Sequence, residues 1–476
     1  MGKPRSRQPS TNPRILITTA YRHFRNDYYD ALGANIPATP RFAFMRTTNP
    51  GVRFLKQNLP EIEILEYPLW HEYVVKLKEG WDIVGFSFFH CDIHEIRKMA
   101  AEARKQGVGE VWAGGYGAFS EESAQIADRV ICGYAEEFLN QELFGRKLER
   151  LRHPPIVCSL NLHIPPQIPY KKVGHLFTQR GCPYRCTFCQ TPLHCPQPYR
   201  IPLKSIEEVL RFYRSQGINE LWITDETFYI FPSHSEKVMD LLARYGFHWW
   251  VMTRMELASR HLDSWADRGM ALVAFGVESV HEEVLRSINK SINLEMMFDF
   301  RRRTKEKKVF TMGAYIIGYE TDTVSSILAD YQVLERINFD SYQFSILTPM
   351  PRVPLTRRIE SRYGIFDRDY HHYTAYDLVW NHPNISPAMM KFLHRLGQAT
   401  VNASKHYTSG LIRMIQRRWH EKGLGLLWED VAKPFLHSLS YQERKQVFIP
   451  KLDGRKPAPR KIPTPPQIQP PPETHP

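Results

Sequence analysis

No run of 18 consecutive apolar residues occurs in the 476-residue chain, so no segment reads as a transmembrane helix. The opening stretch, MGKPRSRQPSTNPR, is basic and polar. It lacks the apolar core of a secretory leader, and a cytoplasmic location is expected. Cysteine is scarce: there are seven, an odd number, scattered except for one group of three. That pattern argues against a disulfide framework and for reduced thiols with a metal site. No internal repeat is present, which sets aside solenoids and arrays. Hydrophobic residues at 42% and charged residues at 24% are ordinary for a globular protein able to bury a core. At roughly 150 residues per domain the length suggests two or three domains.

What is in excess is positive charge, +13 in total. A positive field attracts polyanions. Much of this excess sits in short clusters such as Arg301 to Lys308 and Lys451 to Lys461, which serve equally well as solvated faces or tails. No RNA-binding module is recognisable toward the C-terminus, so nucleic acid is not an expected partner. The stretch SGLIRMIQRRWHEK places Leu411, Ile415 and Trp419 on one helical face with arginines elsewhere. It allows peripheral membrane contact, although docking on the protein's own core is the commoner use of such a face.

After a basic, disordered segment (1–13), short apolar runs alternate with helical spacing over 14–150: RILITT, IEILEY, DIVGFSFF, EVWAGG and RVICGY. This alternation predicts an α/β domain, a doubly wound, Rossmann-like parallel sheet. Residues 151–172, rich in proline, read as a linker. Over 173–350 six further strands are predicted, LFTQR, LWITDE, WWVMTR, LVAFGVES, FTMGAYIIG and SYQFSILTP, separated by helical patterns. Six successive units imply a partial (β/α)6 barrel, with its chemistry at the C-terminal strand ends. A mostly helical region (351–450) follows, with helices expected at Pro387–Lys405 and Ser409–Lys422. Nine prolines in the last 26 residues make 451–476 a disordered tail.

The sharpest feature is GCPYRCTFCQ, where Cys182, Cys186 and Cys189 follow the first predicted barrel strand. Three thiolates this close suit a soft metal centre such as an iron-sulfur cluster. A 4Fe-4S cubane with three protein ligands leaves one iron open. Zinc is the bland alternative, but its ligands usually arrive as two separated pairs. Here only His194 and Cys195 lie nearby.

The CxxxCxxC spacing, with aromatic Phe188 before the last cysteine, resembles the radical S-adenosylmethionine superfamily over about Val173 to Pro349. The resemblance implies that S-adenosylmethionine chelates the open iron through its amine and carboxylate. One electron, from a donor such as flavodoxin or ferredoxin, then cleaves it to a 5'-deoxyadenosyl radical. The cofactors carry this chemistry while the protein positions them. It further implies cofactor contacts at successive strand ends. Thr224, Asp225 and Glu226 would face the methionine amine, and Arg254 would grip the carboxylate. Glu278 and Ser279 would contact the ribose, and the backbone from Tyr315 through Ile317 to Gly318 would meet adenine.

The first domain resembles the cobalamin-binding domain found in one branch of that superfamily. The matching residues are Ser87, Gly114, Gly115, Tyr116 and Gly133; the serine and glycines are small enough to let a bulky ligand approach the sheet. The DxHxxG motif that supplies a cobalt ligand in many cobalamin proteins is missing. The only DxH of the first domain, Asp92 to His94, lies after the third strand, so cobalt is expected to lack a histidine from this domain. The branch implies methylation of an unactivated carbon on an organic substrate. Cyclisation, rearrangement, methylthiolation and RNA modification occur among relatives, and the substrate class stays open. A catalytically silent scaffold remains as a reading, as does a first domain that binds nothing.

Three further features are weak catalytic candidates. Cys195 is placed to donate a hydrogen atom, or to be an ordinary loop thiol. His371 and His372, in DRDYHHYTAYDLVWNHPN, suit a general base or a packed cap over the barrel. Cys91, Cys132 and Cys158 lack the early motif of a second cluster, and buried free cysteine is commonplace.

Overall fold

A computed structural model describes residues 13–23, 43–46, 48–162 and 169–402. The basic N-terminal segment before residue 13, the predicted helix Ser409–Lys422 and the tail 451–476 lie outside the described residues.

The first part of the chain runs β1 (Ile15–Thr18), β2 (Ala43–Arg46), α1 (Pro50–Asn58), β3 (Glu63–Leu65), α2 (Trp70–Leu77) and β4 (Ile83–Ser87). It continues through α3 (Ile93–Lys105), β5 (Glu110–Gly114), α4 (Ser123–Ile126), β6 (Arg129–Val130) and α5 (Glu136–Phe144). Five of these strands form a parallel sheet in the order β3-β1-β4-β5-β6. Strand alternation explains why both faces are apolar. Leu16, Val84, Phe86 and Val111 bury against α2 and α3, while Ile15, Ile17, Ile83 and Trp112 bury against α1 and α5. The order reverses direction between β1 and β4, and the crevice at such a reversal is where open α/β sheets bind ligands.

The second part comprises β7 (Ile156–Leu162), β8 (Pro169–Leu176), β9 (Gln179–Arg180), α6 (Thr191–His194), β10 (Tyr199–Arg200), α7 (Leu203–Ser215), β11 (Glu220–Ile223) and α8 (Pro232–Arg244). Then come β12 (His248–Thr253), α9 (Met255–Asp267), β13 (Met270–Glu278), α10 (Glu282–Ser287), α11 (Leu294–Glu306), β14 (Phe310–Ile317), α12 (Val324–Ile337) and β15 (Ser341–Ile346). Helices α13 (Pro354–Arg362) and α14 (Pro387–Thr400) close the described chain. The sheet order is β15-β14-β13-β12-β11-β8-β7-β2. Its six parallel strands, β8 to β15, follow one another in sequence with helices between them, an open parallel barrel.

Two expectations are corrected here. The segment 151–172 is not simply a linker, because β7 and the start of β8 lie inside it and pair antiparallel. β2, from the first part of the chain, pairs in turn with β7. Proline at Pro169 is tolerated because it opens its strand. The first barrel strand is therefore β8, ending at Leu176, the first residue of LFTQR, while Gln179–Arg180 form a separate two-residue strand that pairs antiparallel with β10. The barrel helices bury one face each. In α12, Ile327, Tyr331, Leu334 and Ile337 recur at helical spacing in the core, and Thr323 caps the N-terminus by accepting from Ser326 N at 3.1 Å.

Candidate active site at the barrel mouth

The loop after β8 carries the three cysteines, and a buried carboxylate holds its root. Asp225, fully buried beyond the end of β11, accepts from Thr178 N (2.7 Å), Thr178 Oγ1 (2.5 Å) and Gln179 N (3.2 Å). Burial pushes its carboxyl up to about 8, against the pull of those hydrogen bonds. Glu226 accepts from Gly181 N at 3.0 Å, and its other oxygen accepts from the Tyr134 hydroxyl of the first domain. Both carboxylates at this strand end thus hydrogen-bond to the root of the cysteine loop. Thr224 keeps an enclosed hydroxyl with no partner.

All three cysteines are free, partly exposed thiols. Cys189 N donates to Cys186 O at 3.1 Å, and Cys182 Sγ lies 3.3 Å from Thr227 Oγ1. Arg254 donates to Cys186 Sγ at 3.5 Å and to Glu256 at 2.6 Å, with its guanidinium 4.1 Å over the Tyr184 ring. Burial pushes the Cys186 thiol up, while Lys290 and Arg254 pull it back. Among the described residues no three His, Cys, Asp or Glu side chains gather as a site for a metal ion. A cubane differs from a single ion in spreading its cysteines over separate corners.

Glu278, at the end of β13, pairs with Lys290 at 3.1 Å, and Ser279 Oγ accepts from His281 N at 3.1 Å. The Tyr315 hydroxyl turns to Asp330 on α12 at 2.8 Å. Ile317 O accepts from Leu347 N at 2.9 Å. Phe188 packs against the barrel core.

The weak catalytic candidates are not brought to the mouth. Cys195 is buried under Gly181, where an added Cβ would meet its sulfur at 2.7 Å, and burial pushes its thiol up to about 11. It is a packing residue. His371 and His372 are exposed. His371 Nδ1 meets Cys91 O (2.8 Å) and its ring stacks on His94 (4.9 Å), while His372 pairs with Asp367 (2.7 Å). His371 thus ties the C-terminal part to the start of α3, while His372 braces its own segment. Burial pushes the Cys91 and Cys158 thiols up to about 12.

An open cleft lies at the C-terminal ends of β1, β4 and β5. Ser87, Gly114, Gly115 and Gly133 line it, with Leu55 of α1 and His194 of the barrel part. At Gly114 an added Cβ would meet no atom of the described residues nearer than Phe86 O at 3.5 Å, so their packing does not require glycine there. Gly115, at φ +75°, would press a Cβ to 2.8 Å from Phe88 O. Tyr116 departs from expectation: it leaves the cleft wall for the barrel, stacking on His194 at 4.6 Å and reaching Thr191 at 3.4 Å.

Sequence reasoning overlooked Arg180, Tyr134 and Glu136, which join the two parts. The Arg180 guanidinium is sandwiched between Phe54 (4.0 Å) and Tyr134 (3.9 Å) and pairs with Glu136 at 2.9 Å. Arg180 stands two residues before the first cysteine and Glu136 inside GYAEE, so adjacency to both motifs was the available signal. Thr227, Tyr184 and Lys290 were also overlooked.

An open parallel barrel whose first strand leads into a three-cysteine loop is the architecture of radical S-adenosylmethionine enzymes. Residues 176–362 match the Radical SAM superfamily, and this part of the chain is a radical SAM domain. The chain is 25% identical over 214 residues to an uncharacterized methyltransferase of Pyrococcus horikoshii, a match spanning 43% of this chain and 46% of that protein. It is 23% identical over 313 residues to the bacteriochlorophyllide d C-12(1)-methyltransferase of Chlorobaculum tepidum, spanning 61% of this chain and 68% of that enzyme. The fold is shared with the radical S-adenosylmethionine methyltransferase TsrM of Kitasatospora setae, solved with cobalamin and a [4Fe-4S] cluster bound. The TM-score is 0.56 at 16% identity, over 74% of this chain and 78% of that one. Among the described residues no helix is long and apolar enough to cross a membrane.

Proposed function

We propose that this protein is a cobalamin-dependent radical S-adenosylmethionine methyltransferase acting on an unactivated carbon of an organic substrate. The observation that carries the reading is the thiol loop itself: three free cysteines on one turn at the C-terminal mouth of a radical SAM barrel, with Arg254 against Cys186. Cys182, Cys186 and Cys189 are the residues that would hold a 4Fe-4S cluster. When bound, the cluster and S-adenosylmethionine supply the electron and the 5'-deoxyadenosyl group for radical chemistry, and cobalamin supplies a methyl carrier.

The chain's own residues then have separable tasks. Asp225 and Glu226 fix the root of the loop through Thr178, Gln179 and Gly181. Arg254, braced by Glu256 and Tyr184, offers a cation beside the cluster position, suited to a carboxylate. Tyr134 carries the position of the first domain into the loop through Glu226. The cleft at the β1/β4 reversal suits the bulky tail of a corrinoid, since among the described residues only ordinary contacts, at 3.5 Å and beyond, meet a Cβ at Gly114.

Anaerobic reconstitution with iron and sulfide, followed by reduction with S-adenosylmethionine present, is expected to yield about four irons per chain and 5'-deoxyadenosine. Protein that binds the iron but forms no 5'-deoxyadenosine would be a scaffold instead. Gly114→Val is expected to lower cobalamin affinity at least ~tenfold in a visible-spectrum titration, with thermal stability shifted by under about 1 kcal/mol. Unchanged affinity would remove cobalamin from this cleft.

A further inference from the structure

The concave face of the barrel carries an aromatic wall that the chemistry above leaves unused. Register places His175 of β8 opposite Trp222 of β11, and Trp222 opposite Trp250 of β12. Their neighbours identify the face. A Cβ on Gly174 would come within 2.8 Å of Tyr213 on α7, and Leu221, Trp249 and Val251 belong to the core under the helices. Side chains alternate along a strand, so His175, Trp222 and Trp250 face the other way, into the barrel.

The rings form a shallow cradle. The His175 imidazole stands 5.2 Å from the Trp222 ring at 50°, and the Trp222 and Trp250 rings are 6.5 Å apart at 56°. Both indoles are only half-buried, and Met252, the next inward residue after Trp250, is 40% exposed. The wall is therefore accessible from within the barrel.

Its polar atoms are the second observation. His175 is 6% exposed, yet neither ring nitrogen has a hydrogen-bond partner. Trp250 Nε1 and Thr224 Oγ1 are enclosed and unpartnered as well. Thr224 is the next inward residue above Trp222, so these atoms share one strip of the wall. Enclosed donors without partners cost free energy, and several converging beside an accessible aromatic face mark a ligand surface. Burial lowers His175 to about 4, which leaves a neutral imidazole able to donate from one nitrogen and accept at the other.

We propose that this wall is the substrate surface and that it takes a planar, conjugated organic molecule bearing carbonyl or carboxylate oxygens. The ring system lies on Trp222, and its oxygens accept from Trp250 Nε1–H and from a His175 N–H, with Thr224 Oγ1 available toward the mouth. The assignment rests on the radical reading of the mouth, because only then does a molecule on this wall lie next to the reacting groups.

Binding to the full-length protein needs neither iron nor S-adenosylmethionine, so the test is independent of turnover. The probes are indole-3-propionate and its saturated counterpart cyclohexanepropionate, followed by calorimetry and tryptophan fluorescence. Indole-3-propionate is expected to bind saturably at millimolar concentration, and cyclohexanepropionate at least ~tenfold more weakly. Trp222→Leu should weaken the indole probe by about tenfold. Met252→Trp, at an exposed position, should abolish binding by filling the space over the wall, and it serves if Trp222→Leu does not fold. Equal affinity for the two probes, no saturable binding of the indole, or unchanged binding in Met252→Trp overturns the proposal. If 5'-deoxyadenosine formation survives while probe binding fails, only this inference falls.

Discussion

Replacing Cys182, Cys186 or Cys189 singly by alanine is expected to lower 5'-deoxyadenosine formation on the order of a thousandfold or more. Each thiol would occupy its own corner of a cubane, and no fourth cysteine stands ready as a substitute. Cys195 is the nearest in sequence, but it is buried beneath Gly181 and hydrogen-bonded to Gln197 O at 3.4 Å. The fold should survive, because all three thiols sit partly exposed on a loop and none belongs to the buried core. Cys195→Ala is the matched control and should leave the yield within a few-fold of the parent. Measuring 5'-deoxyadenosine, iron content and far-ultraviolet circular dichroism on the same samples separates loss of cluster from loss of fold. Parent-level product from any of the three variants would end the assignment.

Removing one member of the Arg180–Glu136 pair is expected to be the most damaging single change to stability. Arg180 is 1% and Glu136 4% exposed, so Glu136→Ala strands a buried cation between Phe54 and Tyr134. Breaking a buried pair by deleting one partner costs about 3–5 kcal/mol. At roughly 2–4 °C per kcal/mol, calorimetry should show a melting temperature lower by on the order of 10 °C. Arg180 also donates to the Tyr199 hydroxyl at 3.1 Å, a bond that Glu136→Ala leaves in place and Arg180→Leu removes. The pair joins α5 to the strand before the cysteine loop, so the same variant should loosen the docking of the first domain. Faster proteolysis between residues 145 and 156 would report that loosening. A melting temperature unchanged in Glu136→Ala would show that the pair is not a latch.

Much of the architecture was legible because strand alternation, helical spacing and a short cysteine motif are local patterns. The five N-terminal apolar runs became the five strands of one parallel sheet, and the later six runs located the barrel. The failures were those of partner choice. β7 and the start of β8 hide in a proline-rich stretch, and the pairing of β7 with β2 joins residues more than a hundred positions apart. Asp225 and Glu226 were legible as acids at a strand end. Whether such an acid faces a ligand or the chain's own amides depends on where Thr178, Gly181 and Tyr134 come to lie. His371 and His372 were conspicuous by type, but type does not say that a ring will stack on His94.

What the amino-acid sequence determined by itself was the repertoire: three thiols at a fixed spacing, six strand-helix units behind them, and small residues at the ends of an earlier set of strands. These depend on covalent order and on periodicities of two and 3.6 residues, which act over a few positions. Tertiary structure alone decided which carboxylates were spent on the loop, that Arg180 would seal one domain to the other, and that His175, Trp222 and Trp250 would share a wall. Those outcomes arise when strands distant in sequence take neighbouring places in a sheet, because burial and hydrogen-bond satisfaction are set by the neighbours that arrive.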